Sequence, residues 1–186
     1  MKDKGLIAVF VVPVLLLAIP LLGNRFVEGW NWGWPSFVLA WGMMTAAGLA
    51  YRIVTRADGS MSFCIATGIA LLAGFMIVWG NLAVGFIGSE DNPANLLYAI
   101  VVAVAIGGAA LARFEPAGMS AAMVATAIVQ VLVPVVALVF WPHDFSPGVA
   151  PVFALNGAFA GVFTASAVLY RKAARRLRRR ERELHA

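Results

Sequence analysis

The sequence predicts an all-α membrane protein, a polytopic bundle of six transmembrane helices with both termini in the cytoplasm. Hydrophobic residues make up 62% of the 186 residues and charged residues only 12%, whereas soluble domains have about 25% charged residues. The apolar residues also gather into six runs, each near the roughly 20 residues that a helix needs to cross the hydrocarbon core. The chain therefore has room for six spans and for no soluble domain.

The six runs are separated by short polar segments, and each run is predicted to form one helix. Two charges, Arg52 and Arg113, fall inside the runs, each near an end. Asn92 is a favourable N-cap for the fourth helix because Pro93 follows it at the first helical position. The predicted spans are residues 5–22, 34–54, 61–87, 93–114, 119–141 and 149–170, which form one transmembrane domain (1–170) followed by a basic cytoplasmic tail (171–186).

The distribution of Lys and Arg predicts the orientation. With the N-terminus inside, thirteen of the fourteen Lys and Arg residues lie on the inner side, and Arg25 alone lies on the outer side. Positive charge is retained on the cytoplasmic side of bacterial membranes. Four Trp residues fall at the predicted outer boundary, where amphipathic rings are favoured: Trp30, Trp32, Trp34 and Trp141. We therefore expect a multi-pass protein of the bacterial inner membrane.

The even-numbered runs end alike, which suggests three related helical hairpins. Their last residues are Gly48–Arg52, Ala110–Arg113 and Ala167–Arg171. The alternative is that topology alone places Arg and Tyr after each helix that runs inward. The sequence leaves both interpretations open.

A polar segment joins the third and fourth runs at the predicted outer face. It holds two carboxylates and two amides in six residues, beside glycines that allow close backbone approach. One interpretation is an outer-face access site for a cation or a polar solute. The other is a capped turn whose carboxylates face water. The residues concerned are Glu90, Asp91, Asn92 and Asn95.

Three amide side chains lie within the runs: Asn81, Gln130 and Asn156. Unpaired amides are costly in hydrocarbon, so we expect them to face the interior of the bundle. They either line a path for a polar solute or hydrogen-bond between helices, as amides in membrane proteins commonly do. No Asp, Glu, Lys or His lies deep in a run, which disfavours a proton relay.

Small residues at a spacing of four, or side by side, predict close helix packing. The sixth run contains Gly157 and Gly161, the third contains Ala70 and Gly74, and the fourth contains Gly107 beside Gly108. We expect these residues to pack inside the bundle, and contact between copies is the alternative.

The tail is strongly basic and is predicted to continue the sixth helix. Its position next to the membrane favours contact with anionic lipid, and it lacks the folded reader or interleaved aromatics of a nucleic-acid-binding segment. The residues assigned to lipid are Arg171, Lys172, Arg175, Arg176, Arg178, Arg179 and Arg180.

No metal, cofactor or catalytic site is predicted. Cys64 lies in an apolar run, and His143 and His185 are too few and too far apart to form a metal site with it. No hydrolase, metalloprotease or phosphate-binding motif is present.

Two segments resemble a family of uncharacterised bacterial inner-membrane proteins. They are Asn81–Tyr98, which begins NLAVGFIGSEDNPAN, and Ala110–Met119, with weaker similarity around Gly48–Arg52. The resemblance covers most of the chain and implies a membrane location, but it implies no activity, substrate or cofactor.

The expected function is that of a non-enzymatic structural or accessory membrane component, alone or with a membrane-protein partner or further copies. The alternative is a small transporter or channel for a polar solute or cation. An intramembrane enzyme is disfavoured because charged and nucleophilic groups are missing at depth.

Overall fold

The structure is a computed structural model that describes residues 2–184, with side chains from residue 5 onward. This part of the chain is all-helical and contains no β-strand. Short 3₁₀ turns at Pro93–Leu96 and Pro142–Asp144 precede the fourth and sixth helices. Six helices are long and apolar enough to cross a membrane, which confirms the predicted number. The α-helices are α1 (Lys2–Phe26), α2 (Trp34–Val54), α3 (Met61–Ala83), α4 (Leu97–Leu111), α5 (Pro116–Phe140) and α6 (Val149–Leu184). Helix α4 reaches the length of a span together with the preceding 3₁₀ turn, as Pro93–Leu111.

Several helix bounds differ from the predicted spans by a few residues; α1, for example, ends at Phe26 rather than at residue 22. Two of the differences have a clear local reason. Helix α3 ends at Ala83 rather than at residue 87 because Gly85 adopts a positive φ of 68°, which a right-handed helix cannot contain. Helix α4 ends at Leu111 because Arg113 and Phe114 also have positive φ values, of 48° and 61°. Helix α6 continues without a break to Leu184, so the tail extends the helix as expected.

The chain divides into two compact units by its internal contacts. Unit 1, Met1–Ile53, contains α1 and α2. Asn24 stabilises the segment that connects these two helices. Its side-chain Nδ2 donates to the Trp32 carbonyl and its Oδ1 accepts from the Trp32 amide, both at 2.8 Å. The Phe10 and Trp41 rings lie 6.2 Å apart between the two helices.

Unit 2, Val54–Ala186, contains α3 to α6. Helix α6 packs against α5 and α3, and α4 packs against α5. Two serines tie α6 into the unit, since Ser166 Oγ donates to the Ala66 carbonyl of α3 and Ser120 Oγ of α5 donates to the Ala167 carbonyl, both at 2.9 Å. We call the end with Glu90, Asp91 and Asp144 the acidic end, and the end with Arg113 and Arg171 the basic end.

Large apolar side chains are exposed along the helices of both units. The exposed fraction is 66% for Leu15, 65% for Ile19, 66% for Ile106 and 70% for Val139. Soluble proteins rarely expose continuous apolar surface of this kind. These side chains are instead suited to contact with lipid chains.

Candidate functional site

A buried polar network lies between three helices of unit 2. Gln130 on α5 donates from Nε2 to Oδ1 of Asn156 on α6 at 2.8 Å. Asn156 donates from Nδ2 to the phenol oxygen of Tyr98 on α4 at 2.9 Å. All three side chains are at most 2% exposed. The structure thus brings together two of the three amides that the sequence singled out, and it adds a tyrosine.

The orientation of the network is fixed by one backbone carbonyl. Asn156 Nδ2 also donates to the carbonyl oxygen of Val152 at 2.8 Å. A carbonyl can only accept, so the Asn156 atom facing it must be the nitrogen. The other Asn156 atom, Oδ1, must then accept from Gln130 Nε2, so Gln130 Oε1 takes no part in this bond. This oxygen is buried and has no hydrogen-bond partner in the described part of the chain.

A loop of the acidic end covers the network. The Phe86 ring meets the Tyr98 ring edge-on at 5.3 Å between centroids and stacks with Phe159 at 5.7 Å. The loop is held down by Asn95. Its Oδ1 accepts from the amides of Phe86 and Ile87 at 3.1 and 3.0 Å.

The side chain of Asn95 is fully used by this loop. Its Nδ2 donates to the carbonyls of Ile87 and Ser89 at 3.2 and 2.7 Å, so both amide hydrogens and both oxygen lone pairs are occupied. Asn95 is 8% exposed. It therefore stabilises the loop and has no group left for a solute, which does not fit its predicted place in an access site.

The other polar residues of this loop divide into two kinds. Asn92 is the predicted cap, because its Oδ1 accepts from the Ala94 amide at 2.9 Å. Its Nδ2 donates to Oδ2 of Asp144 at 3.2 Å and joins the two loops of the acidic end. Glu90 and Asp91 are exposed. The geometry is that of a capped turn, the second of the two interpretations.

Asn81 does not join the network. Its Nδ2 donates to the Ile77 carbonyl within its own helix at 2.8 Å, and its Oδ1 is buried without a partner in the described chain. The three amides therefore do not line one common path for a solute.

A second polar pair lies toward the basic end, and the sequence analysis missed it. Thr67 Oγ1 on α3 and the Tyr170 phenol on α6 are 2.8 Å apart. Because Thr67 donates to the Phe63 carbonyl at 3.0 Å, Tyr170 must be the donor to Thr67. Tyr98 was missed as well. The available signal was that a tyrosine within an apolar run needs a partner for its hydroxyl when it is buried.

The small residues pack differently from the prediction. Gly157 and Gly161 are exposed, and a Cβ added to either would meet nothing within 4 Å. Neither glycine therefore makes a close helix contact within the described part of the chain. Ala70 and Gly74 on α3 are half-buried, and a Cβ on Gly74 would also meet nothing within 4 Å. The close approach is at Gly108, where an added Cβ would lie 2.8 Å from Cβ of Ala122 on α5.

The described residues contain no group of three His, Cys, Asp or Glu side chains that could hold a metal. Cys64 is a half-buried free thiol, and His143 is exposed. His185 lies outside the described residues.

The basic tail has two distinct faces. Viewed down the helix axis, with 3.6 residues per turn, one side of the tail carries eight Lys and Arg residues and Glu183. This side extends from the angular position of Arg178 around to that of Arg180. The opposite face carries Ala173, which is fully buried, and Leu177, which is 37% exposed. The apolar face of α6 therefore continues as far as Leu177, and the cations project from the other side.

Six apolar helices, lipid-suited surfaces and an interhelical amide network define a multi-pass helical membrane protein. Comparison with family models, with curated proteins and with solved structures finds no match for the chain.

Proposed function

We propose that this protein is a non-enzymatic structural or accessory component of the bacterial cytoplasmic membrane. The main support is that the side chains of Gln130, Asn156 and Tyr98 hydrogen-bond to one another between helices. Gln130 and Asn156 bond to each other across α5 and α6, and Asn156 bonds to Tyr98 of α4. Such bonds contribute about 1 kcal/mol each to helix association in membranes. They hold the unit together rather than form a row of free groups along a path.

Solute flux tests this proposal against the transporter alternative. We expect proteoliposomes containing the protein to take up small polar solutes and monovalent cations no faster than empty liposomes. Asn81→Leu and Asn156→Leu address the two separate amide positions. Protein-dependent flux that either variant abolishes would overturn the accessory role.

An accessory component needs a partner in the membrane. We expect chemical crosslinking in intact membranes, followed by mild solubilisation, to recover the chain with the same membrane protein or with further copies of itself. A chain that always purifies alone after crosslinking would contradict this part of the proposal.

The proposed orientation places both termini in the cytoplasm. It is supported by the excess of Lys and Arg at the basic end and in the tail. In a Cys64→Ser background, His143→Cys and Arg178→Cys place single thiols on exposed positions at opposite ends of unit 2. A membrane-impermeant maleimide applied to intact cells should label the first and not the second. The reverse pattern would refute the orientation.

We further propose that the tail binds anionic lipid. The cations nearest the membrane are Arg171, Lys172, Arg175 and Arg176, and each charge close to an anionic surface contributes about 1 kcal/mol at low ionic strength. Replacing these four by Gln should reduce the anionic lipid that co-purifies in native mass spectrometry. A matched replacement of Arg178, Arg179, Arg180 and Arg182, which lie further along the helix, should have the smaller effect. Equal effects would contradict lipid contact at the membrane surface.

The resemblance of residues 81–98 and 110–119 to a family of bacterial inner-membrane proteins has no match among the compared proteins. Membership of that family stays a prediction.

A further inference from the structure

Two hydrogen-bonding groups of the polar network in unit 2 have no partner for one of their bonds. One group is an acceptor and the other is a donor. Gln130 Oε1 is an acceptor in a fully buried side chain and has no partner in the described chain. The Tyr98 phenol already accepts from Asn156, and no hydrogen bond in which it donates its own proton is formed within the described residues. One acceptor and one donor are thus left over on the two side chains that bond to the same Asn156 carboxamide.

Reorienting the side chains does not remove either group. Turning the Gln130 amide would place its Oε1 against Oδ1 of Asn156, and two acceptors repel. Turning the Asn156 amide as well would place an oxygen against the Val152 carbonyl, which lies 2.8 Å from the present nitrogen. The leftover acceptor and donor therefore follow from the chemistry of the site.

Leaving both groups unpaired would be costly. A buried polar group without a partner costs about 1–3 kcal/mol, and membrane interiors offer no bulk water to relieve it. Buried waters in proteins bind at such positions, where about three polar groups surround them. A molecule that donates to Gln130 Oε1 and accepts from Tyr98 would satisfy both groups at once.

We propose that Gln130 and Tyr98 form a binding site for a single water molecule inside unit 2. The water donates to Gln130 Oε1 and accepts from the Tyr98 hydroxyl, completing a network that joins α4, α5 and α6. Phe86 covers Tyr98 from the acidic end, so the site is separated from the loop surface. This inference does not depend on the accessory role, because an internal water is compatible with either function.

The chain offers a matched control for this site. Tyr170 is as buried as Tyr98, at 0% against 2% exposure. Its hydroxyl donates to Thr67, which in turn donates to the Phe63 carbonyl. Tyr170 therefore shares the residue type and the burial, but its hydroxyl already has an acceptor within the protein.

Water-edited solid-state NMR in lipid bilayers tests the proposal directly. Gln130 is the only glutamine in the chain, and there are three tyrosines, so labelling these two residue types gives few signals. Tyr98→Phe and Tyr170→Phe assign the tyrosines. Magnetisation from water should reach the Gln130 side chain and the Tyr98 ring several-fold faster than the Tyr170 ring.

The variant Tyr98→Phe removes one of the two proposed water contacts and should slow the transfer to Gln130, whereas Tyr170→Phe should leave it unchanged. Transfer to Gln130 and Tyr98 as slow as transfer to Tyr170 would overturn the proposal. The wild-type comparison decides even if a variant fails to fold. Rapid transfer to Gln130 that persists in Tyr98→Phe would place the water elsewhere and would also overturn the site as described.

Discussion

Replacing Asn95 by Asp should release the loop that covers the polar network. The two side chains have nearly the same shape, but Asp has no hydrogens to donate at neutral pH. The bonds to the Phe86 and Ile87 amides remain, while the bonds to the Ile87 and Ser89 carbonyls, at 3.2 and 2.7 Å, are replaced by contacts between oxygens. The change is therefore confined to one half of the side chain.

The expected loss follows from burial. Asn95 is 8% exposed, and each buried polar group left without a partner costs about 1–3 kcal/mol. Two lost bonds should therefore lower the free energy of unfolding by about 2–6 kcal/mol. Denaturant titration in mixed micelles, followed by Trp fluorescence, measures this quantity. Cleavage after Glu90 by a glutamate-specific protease should also become faster, since Glu90 lies in the released loop.

Asn92→Asp is the matched control. This variant keeps the bond from the Ala94 amide and loses only the bond to Asp144, at a half-buried position. It should cost about 1 kcal/mol, and salt should reduce that cost because part of it is repulsion between partly exposed carboxylates. If Asn95→Asp costs no more than Asn92→Asp, the assigned role of Asn95 is wrong.

Two further pairs of variants test packing by the same titration. Gly108→Ala should lower the free energy of unfolding by about 1–3 kcal/mol because the new methyl group would meet Ala122 of α5 at 2.8 Å. Gly107→Ala meets nothing within 4 Å and should be neutral or stabilising; equal losses would argue against close α4–α5 contact. Ser166→Ala should cost about 0.6–1.7 kcal/mol through its lost bond to α3. Thr164→Ala, which breaks a bond only within α6, should cost less, and the opposite ranking would contradict the interhelical role.

The sequence predicts the helices of this protein well because their main determinant is local. A run of about 20 apolar residues favours a membrane-spanning helix regardless of its neighbours, and all six runs became helices. The ends were less predictable. The positive φ values of Arg113 and Phe114 arise in the tight connection from α4 to α5, and neither residue type indicates such a conformation.

The candidate site was only partly predictable because it depends on the register between helices. The cost of burying an amide indicates that Gln130 and Asn156 need partners, but not that they partner each other. The role of Asn95 was left open for a related reason. A polar residue beside carboxylates is typical of a surface site, while its four backbone bonds become visible only in the folded loop. The exposed Gly157 and Gly161 show that a small-residue motif does not specify which face of a helix packs.

The length of α6 has a mechanical consequence. Its 36 residues form one helix of about 54 Å, compared with a hydrocarbon core of about 30 Å. Because no break separates the two parts, the segment outside the lipid works as a lever arm that turns with the part inside. A 10° change in tilt would swing the far end of a 20 Å arm sideways by about 3.5 Å. Small rearrangements among α3, α5 and α6 would thus be amplified at the distal arginines.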